Sequence, residues 1–312
     1  MSCTNPRHMY QVLTPNANGK RPLVSTNPHG KYIPIDVPCG NCDSCRLTRS
    51  QFWAIRIMHE ASLHPKNIVI TLTYAPEHLP PLGSLLKSDF QKFMKRLRKA
   101  YPDKEIRFFH CGEYGAIGKR PHYHACIFNF DFDDKKPWRP GNSGSRQWKS
   151  ETLTRIWGKG IAQIGDLDNK SAAYIARYIL KKVNGPSADN HYMEYDLSSG
   201  EIHEDRKPEY ITMSNRPGIG SKWFDKFGTD VYGSFDISTS GRDEVVFNHR
   251  KVKPPPYYDR LLERINPDKL QAIKAERVRK AELKKLDYTD ECLKVKSVLK
   301  KQIIQRLKRE LE

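Results

Sequence analysis

The chain of 312 residues contains no apolar run approaching the ~20 residues that span a bilayer, which argues against a helical membrane protein. Its N-terminus, MSCTNPRHMYQ, has no continuous apolar segment of the kind that directs secretion. A reducing cytosol is therefore the expected compartment, and the seven cysteines read as thiols or ligands rather than disulfides. No Walker A sequence is present, so a P-loop motor is not expected. Acidic residues are in deficit, 36 against 54 Lys and Arg, which leaves a net charge of +18. That excess points to a polyanionic partner, with nucleic acid first and an anionic membrane surface second. No internal repeat is visible. The length suits one large domain with appendages or two modest domains.

What is present centres on Pro121-His122-Tyr123-His124, followed by an apolar run to Phe130. Side chains alternate faces along a strand, so His122 and His124 share one side and form a ready pair of metal ligands. Glu113 lies upstream, and a hairpin through the turn containing Gly115 and Gly118 would bring its carboxylate beside them. Taken alone, such a pair is more often two hydrogen-bonded histidines on a half-buried strand.

In chain order, residues 1 to 38 are rich in Pro, Asn and Gly and read as an irregular arm. Cys39, Cys42 and Cys45 form a C-x2-C-x2-C run. With Cys3 as a fourth ligand they could hold a structural Zn²⁺. Reduced cysteines in a tight loop are the plainer alternative, and such runs also occur in iron–sulfur proteins. A basic amphipathic helix follows from about Arg46 to Ser62, then a strand over Asn67 to Tyr74. Leu86, Phe90, Phe93 and Leu97 mark a second amphipathic helix, with Ser88 or Asp89 as its cap. Lys104 to Cys111 and Pro121 to Phe130 read as strands, 131 to 146 as a polar loop, and Gln147 to Trp157 as a short helix. A fourth strand (IAQIGDL) leads to a helix over Asn169 to Val183, stopped by Asn184-Gly185-Pro186.

The order β-α-β-β-α-β predicts an α+β fold, a ferredoxin-like or RRM-like antiparallel sheet with helices on one face. The open face of such a sheet is a platform for single-stranded nucleic acid. Aromatic, β-prone pieces between Asn190 and Asn248 form an extension. Lys253-Pro254-Pro255-Pro256 marks a linker, and the remainder is a helical basic tail.

Tyr174 and Tyr178 share one face of the 169–183 helix at i, i+4, with Arg177 between them and Lys181 and Lys182 after. An aromatic core stripe is the plain reading of two such tyrosines. Beside a histidine pair, a carboxylate and a strongly basic chain they admit a chemical one. A cation held by two imidazoles and a carboxylate would polarise a phosphodiester, and a tyrosine hydroxyl would attack it.

This set resembles the HUH endonuclease superfamily, in its two-tyrosine rolling-circle replication initiator branch. The matching pieces are ITLTY (70–74), PHYHA (121–125) and YIARYILK (174–181). The Y-x3-Y spacing is similar to that of initiators of small icosahedral single-stranded DNA phages. The cysteine run before a Trp-bearing helix resembles those of gokushovirus-type microviruses. The histidine spacer in such motifs is usually apolar; here it is Tyr123.

The resemblance implies a site-specific single-strand endonuclease and strand transferase. It would nick the viral plus strand at the origin, stay joined to the 5′ phosphate and later rejoin the unit genome. Tyr178 would attack first, with Lys181 in the Y-x-x-K position and Tyr174 as alternating partner. His122, His124 and Glu113 would hold Mg²⁺ or Mn²⁺, and Arg177, Lys182 and Arg120 would contact DNA. A host helicase and DNA polymerase would be partners in the host cell cytoplasm. The implied organisation is an arm with cysteine knuckle and basic helix (1–66), a nickase core (67–185), a β-rich extension (186–252) and a linker with basic tail (253–312). A non-catalytic single-stranded nucleic-acid-binding or packaging protein would explain charge and strand order but leave Glu113 and the tyrosines without a role. A hydrolytic metal nuclease would leave the tyrosines in the core.

Overall fold

A computed structural model describes residues 3–17, 21–115, 118–138, 146–178, 187–195, 202–203, 206–235 and 242–306. Two compact units are formed, Met1–Arg49 with Ala275–Lys308, and Ser50–Lys274.

In the first unit, β1 (Arg7–Val12) lies between β2 (Leu23–Val24) and β3 (Tyr32–Val37) in an antiparallel sheet. The expectation of an irregular arm is corrected. Its strands are at most six residues long, too short for alternation to stand out among the prolines. Pro34 is tolerated because β3 is an edge strand. The helix α1 (Asp43–Ala61) starts directly after Cys42.

The second unit is built on β4 (Asn67–Thr73), α2 (Lys87–Ala100), β5 (Arg107–Tyr114), β6 (Pro121–Phe128), β7 (Lys136–Pro137), β8 (Gln147–Lys149), α3 (Glu151–Trp157), β9 (Ala162–Asp166) and α4 (Asn169–Arg177). After α5 (Ser187–Tyr192) and the pair β10 (Glu194–Tyr195) and β11 (Ile202–His203), β12 (Tyr210–Met213) joins the same sheet. Its order is β12-β5-β6-β4-β9-β8-β7, antiparallel throughout. The fold is α+β, with β4-α2-β5-β6-α3-β9 at its heart. Gln147 to Lys149 is a strand rather than the start of a helix. Ser150 ends it by capping α3, accepting the Leu153 N–H at 3.0 Å, and a cap residue is extended. Ser88 and Asp89 do not cap α2, which begins one residue earlier. Asp89 is buried instead and accepts the Tyr74 hydroxyl at 2.7 Å.

Alternation along the strands sorts the core. Ile68, Ile70 and Leu72 of β4 and Tyr123, Ala125 and Ile127 of β6 pack with α2 and α3 through Phe90, Phe93, Leu97 and Trp157. On the other face Val69, Phe109, Cys111, Cys126 and Phe128 meet Ala54 and Ile57 of α1 and Ala172, Tyr174 and Ile175 of α4. Helices therefore cover both faces, which corrects the expectation of one. β4 and β6 are apolar on both sides, as strands buried between two layers are. The polar interruptions Thr71, Thr73, His122 and His124 all fall on the face carrying α1 and α4.

A third core forms around Phe224 and Tyr232 of α6 (Ser221–Tyr232), Tyr258 and Leu262 of α7 (Pro256–Ile265), and Ile273 of α8 (Pro267–Glu282). The hairpin of β13 (Val245–Phe247) and β14 (Arg250–Val252) contributes Val245. The helical tail ends in α9 (Asp290–Arg306). Among the described residues no helix is long and apolar enough to cross a membrane.

Candidate active site

Three neighbouring strands set the polar side chains in two rows, Glu113–His122–Thr73 and Cys111–His124–Thr71. β5 runs on to Tyr114, so Glu113 stands within the strand, paired with His122, rather than beyond a turn. Its carboxylate reaches diagonally, with Oε1 2.7 Å from His124 Nε2. Both Glu113 and His124 are buried, and His122 is half-buried.

Each histidine has a threonine on β4. Thr71 Oγ1 lies 3.0 Å from His124 Nδ1, and Thr73 Oγ1 lies 3.0 Å from His122 Nδ1. A hydroxyl can give or take the proton, so it holds the ring in either tautomer. With Nδ1 occupied, Nε2 remains as the ligand nitrogen on both rings. These threonines were missed in the sequence, although T-x-T repeats the spacing of H-x-H.

The capping box of α4 fixes where the tyrosines stand. Asp168 Oδ1 accepts the Ser171 N–H at 2.7 Å, and Ser171 Oγ accepts the Asp168 N–H at 2.8 Å. Tyr178 directly follows Arg177 and keeps helical backbone angles. Its ring stacks on His124, with centroids 4.9 Å apart and planes 7° apart. Tyr174 stands edge-on to both, 4.9 Å from Tyr178 at 90° and 6.2 Å from His124 at 84°. Burial first, then the Glu113 carboxylate and Tyr174, hold the Tyr178 phenol well above its ordinary pKa.

Of the remaining candidates, Arg177 lies over the Tyr174 ring at 5.7 Å. Arg120 donates to the Tyr74 carbonyl at 3.1 Å, at the end of β4. Lys181 and Lys182, with the stop signal at 184–186, lie outside the described residues.

Two imidazoles and a carboxylate on one face suit Mn²⁺, or Mg²⁺ completed by water. Glu113 and His124 are in direct contact, while the His122 ring lies against Gly115, where an added Cβ would come within 2.8 Å of Nε2. Among the described residues, the metal-ligand cluster with all ligand atoms within 4.8 Å of one another is Cys3, Cys39, Cys42 and Cys45.

Behind the histidines, Tyr123 is fully buried on the opposite face. Its hydroxyl lies 2.8 Å from the Tyr74 hydroxyl, accepts the Leu86 N–H at 3.0 Å and donates to the Leu86 carbonyl at 2.9 Å. The polar spacer is thus satisfied inside the core, which accounts for a tyrosine at an otherwise apolar position.

Residues 67–183, which contain this face, match the sequence family described as replication-associated protein ORF2. The chain is 36% identical over 242 residues to replication-associated protein ORF2 of Spiroplasma virus 4, covering 75% of this chain and 70% of that protein. It is 32% identical over 263 residues to replication-associated protein VP4 of Bdellovibrio phage phiMH2K, covering 81% and 76%. Similarity to replication-associated protein ORF4 of Chlamydia phage 1 is 31% over 161 residues, covering 49% and 40%. No solved structure matches the chain.

Proposed function

The chain belongs to the family of replication-associated proteins that includes those of Spiroplasma virus 4 and Bdellovibrio phage phiMH2K, and from that premise we propose that it starts rolling-circle replication by nicking the viral plus strand at the origin. The observation that carries this reading is the contact of Tyr178 with His124, which in turn holds Glu113.

In the proposed step Tyr178 Oη bonds to the scissile phosphorus as the P–O3′ bond breaks. The phenol loses its proton and the 3′ oxygen gains one, leaving a free 3′-OH and a 5′-phosphotyrosine ester. Because the ester retains the bond energy of the phosphodiester, the reaction can run backwards to rejoin DNA. His122, His124 and Glu113 would hold Mg²⁺ or Mn²⁺, which supplies Lewis-acid polarisation of the phosphodiester when bound. Thr71 and Thr73 hold the imidazoles in place. Burial beside Glu113 keeps Tyr178 neutral until the site is occupied. Tyr174, one turn earlier, is the second nucleophile for the closing reaction. Lys181 would protonate the leaving oxygen, and Arg177, Arg120 and Lys182 would take phosphates.

The 3′-OH would serve a host polymerase, and a host helicase would supply unwinding in the host cytoplasm. The rival reading, a packaging protein with an open RRM-like face, loses its support because α1 and α4 lie on that face.

The test is incubation of labelled, origin-containing single-stranded viral DNA with the protein and Mn²⁺ or Mg²⁺, followed by denaturation. The expected result is nicking with label retained on protein, and no cleavage by His122→Ala. Normal cleavage by a Tyr174→Phe, Tyr178→Phe double variant would favour a water nuclease, and absence of cleavage under every metal would favour a binding module.

A further inference from the structure

Within the Met1–Arg49 segment the buried side chains among the described residues are Cys3, Ser44 and Cys45. Ile33 and Ile35 of β3 are exposed, at 49% and 38%. This segment has no apolar centre of its own, and its interior is the cysteine cluster. Small modules without a core need another staple.

The sulfur geometry identifies one. All four cysteines are free thiols, with sulfurs within 4.8 Å of one another. Cys3 Sγ lies 3.7 Å from Cys39 Sγ and 3.8 Å from Cys42 Sγ. Four sulfurs placed tetrahedrally at about 2.3 Å from one Zn²⁺ are about 3.8 Å apart. A disulfide would bring two of them to about 2.05 Å. An iron–sulfur cluster, with several irons between the thiolates, would spread them farther than a single ion does.

The surroundings favour thiolates. The Cys39 N–H donates to Cys3 Sγ at 3.4 Å, and the Cys42 N–H donates to Cys39 Sγ at 3.3 Å. Gly40, at φ +78°, supplies the left-handed residue that turns the knuckle, and Arg49 donates to its carbonyl at 3.2 Å. Cys42 and Cys45 flank the start of α1, whose dipole favours the negative charge of a tetrathiolate centre.

We infer that Cys3, Cys39, Cys42 and Cys45 hold one Zn²⁺ in a closed structural site that ties the N-terminal residues and the 39–45 knuckle to the first turn of α1. With four protein ligands the ion has no open position, so it stabilises the unit and takes no part in strand cutting. Its role is independent of the nicking chemistry.

The test is elemental analysis of the dialysed full-length protein. About one zinc per chain is expected, retained in His124→Ala and reduced to near zero in Cys42→Ser. A mercurial thiol reagent added to the wild-type protein should release the zinc in step with thiol modification, a readout that does not depend on a variant folding. Wild-type protein without zinc, iron in its place, or zinc lost with His124→Ala but kept in Cys42→Ser would overturn the inference.

Discussion

The ring of Tyr178 lies flat on the ring of His124, 4.9 Å between centroids and 7° between planes. One side chain comes from a helix and the other from the central strand of the sheet, 54 positions earlier in the chain. That helix packs its apolar residues on the same sheet face, so the contact is fixed by the core. The His124–Glu113 bond of 2.7 Å then links the tyrosine to the carboxylate.

The threonines on β4 should control how well the histidines bind metal. Thr73→Val keeps the branched shape but removes the hydroxyl at His122 Nδ1. Losing an outer partner of a metal-binding histidine typically costs about 10–100-fold in affinity or activity. The Mn²⁺ concentration giving half-maximal nicking should rise by about 10-fold or more in Thr73→Val and Thr71→Val, and the Ser variants should recover most of it. Unaltered metal dependence in both Val variants would remove this role.

Gly115→Ala tests the His122 ring position. The new methyl group would fall 2.8 Å from Nε2, inside contact distance, and the ring must swing away. Nicking should drop well below wild type while the circular dichroism spectrum and urea midpoint change little.

Tyr123→Phe removes the hydroxyl that accepts the Leu86 N–H and leaves that buried group unpaired. The expected cost is about 1–3 kcal/mol of stability, read as a lower urea midpoint. An unchanged midpoint would mean that the Tyr74–Tyr123–Asp89 network contributes nothing net.

Alkaline pH should destabilise the protein through its buried tyrosines. Burial raises the pKa of Tyr74, Tyr178, Tyr210 and Tyr258 in the folded state. The unfolded chain releases these protons at about pH 10, whereas the folded chain keeps them. Their contribution is fully present below pH 10 and is lost as pH rises toward the folded values. Urea midpoints should therefore fall from about pH 9 to 11, less steeply in Tyr178→Phe.

Much of the site was legible because its signals are local. β4 and β6 carry unbroken β-branched and aromatic runs, and two-residue spacing alone puts His122 and His124 on one face. The i, i+4 tyrosines follow from helix geometry. What could not be read depends on tertiary partners. The strand β5 seemed to end at Cys111 because Gly112 weakens a strand pattern. Gly112 lies within it because the Tyr210 ring of β12 packs over that position, where a Cβ would come within 2.8 Å. The apolar stripe of α1 announces a buried face but not which layer covers it, so a two-sided sheet was read as one-sided. In β8, the three residues Gln147 to Lys149 are too few to show any period.

The measurement that bears most directly on the proposed chemistry is the covalent adduct itself. Protein incubated with radiolabelled origin strand and Mn²⁺ should carry the label through denaturing electrophoresis, and peptide mapping should place it on Tyr178 in the first cut. Loss of labelled protein in Tyr178→Phe, with DNA binding retained, is the predicted result. A Tyr174→Phe, Tyr178→Phe protein that still cuts the strand at the wild-type rate, with no label on protein, would contradict it.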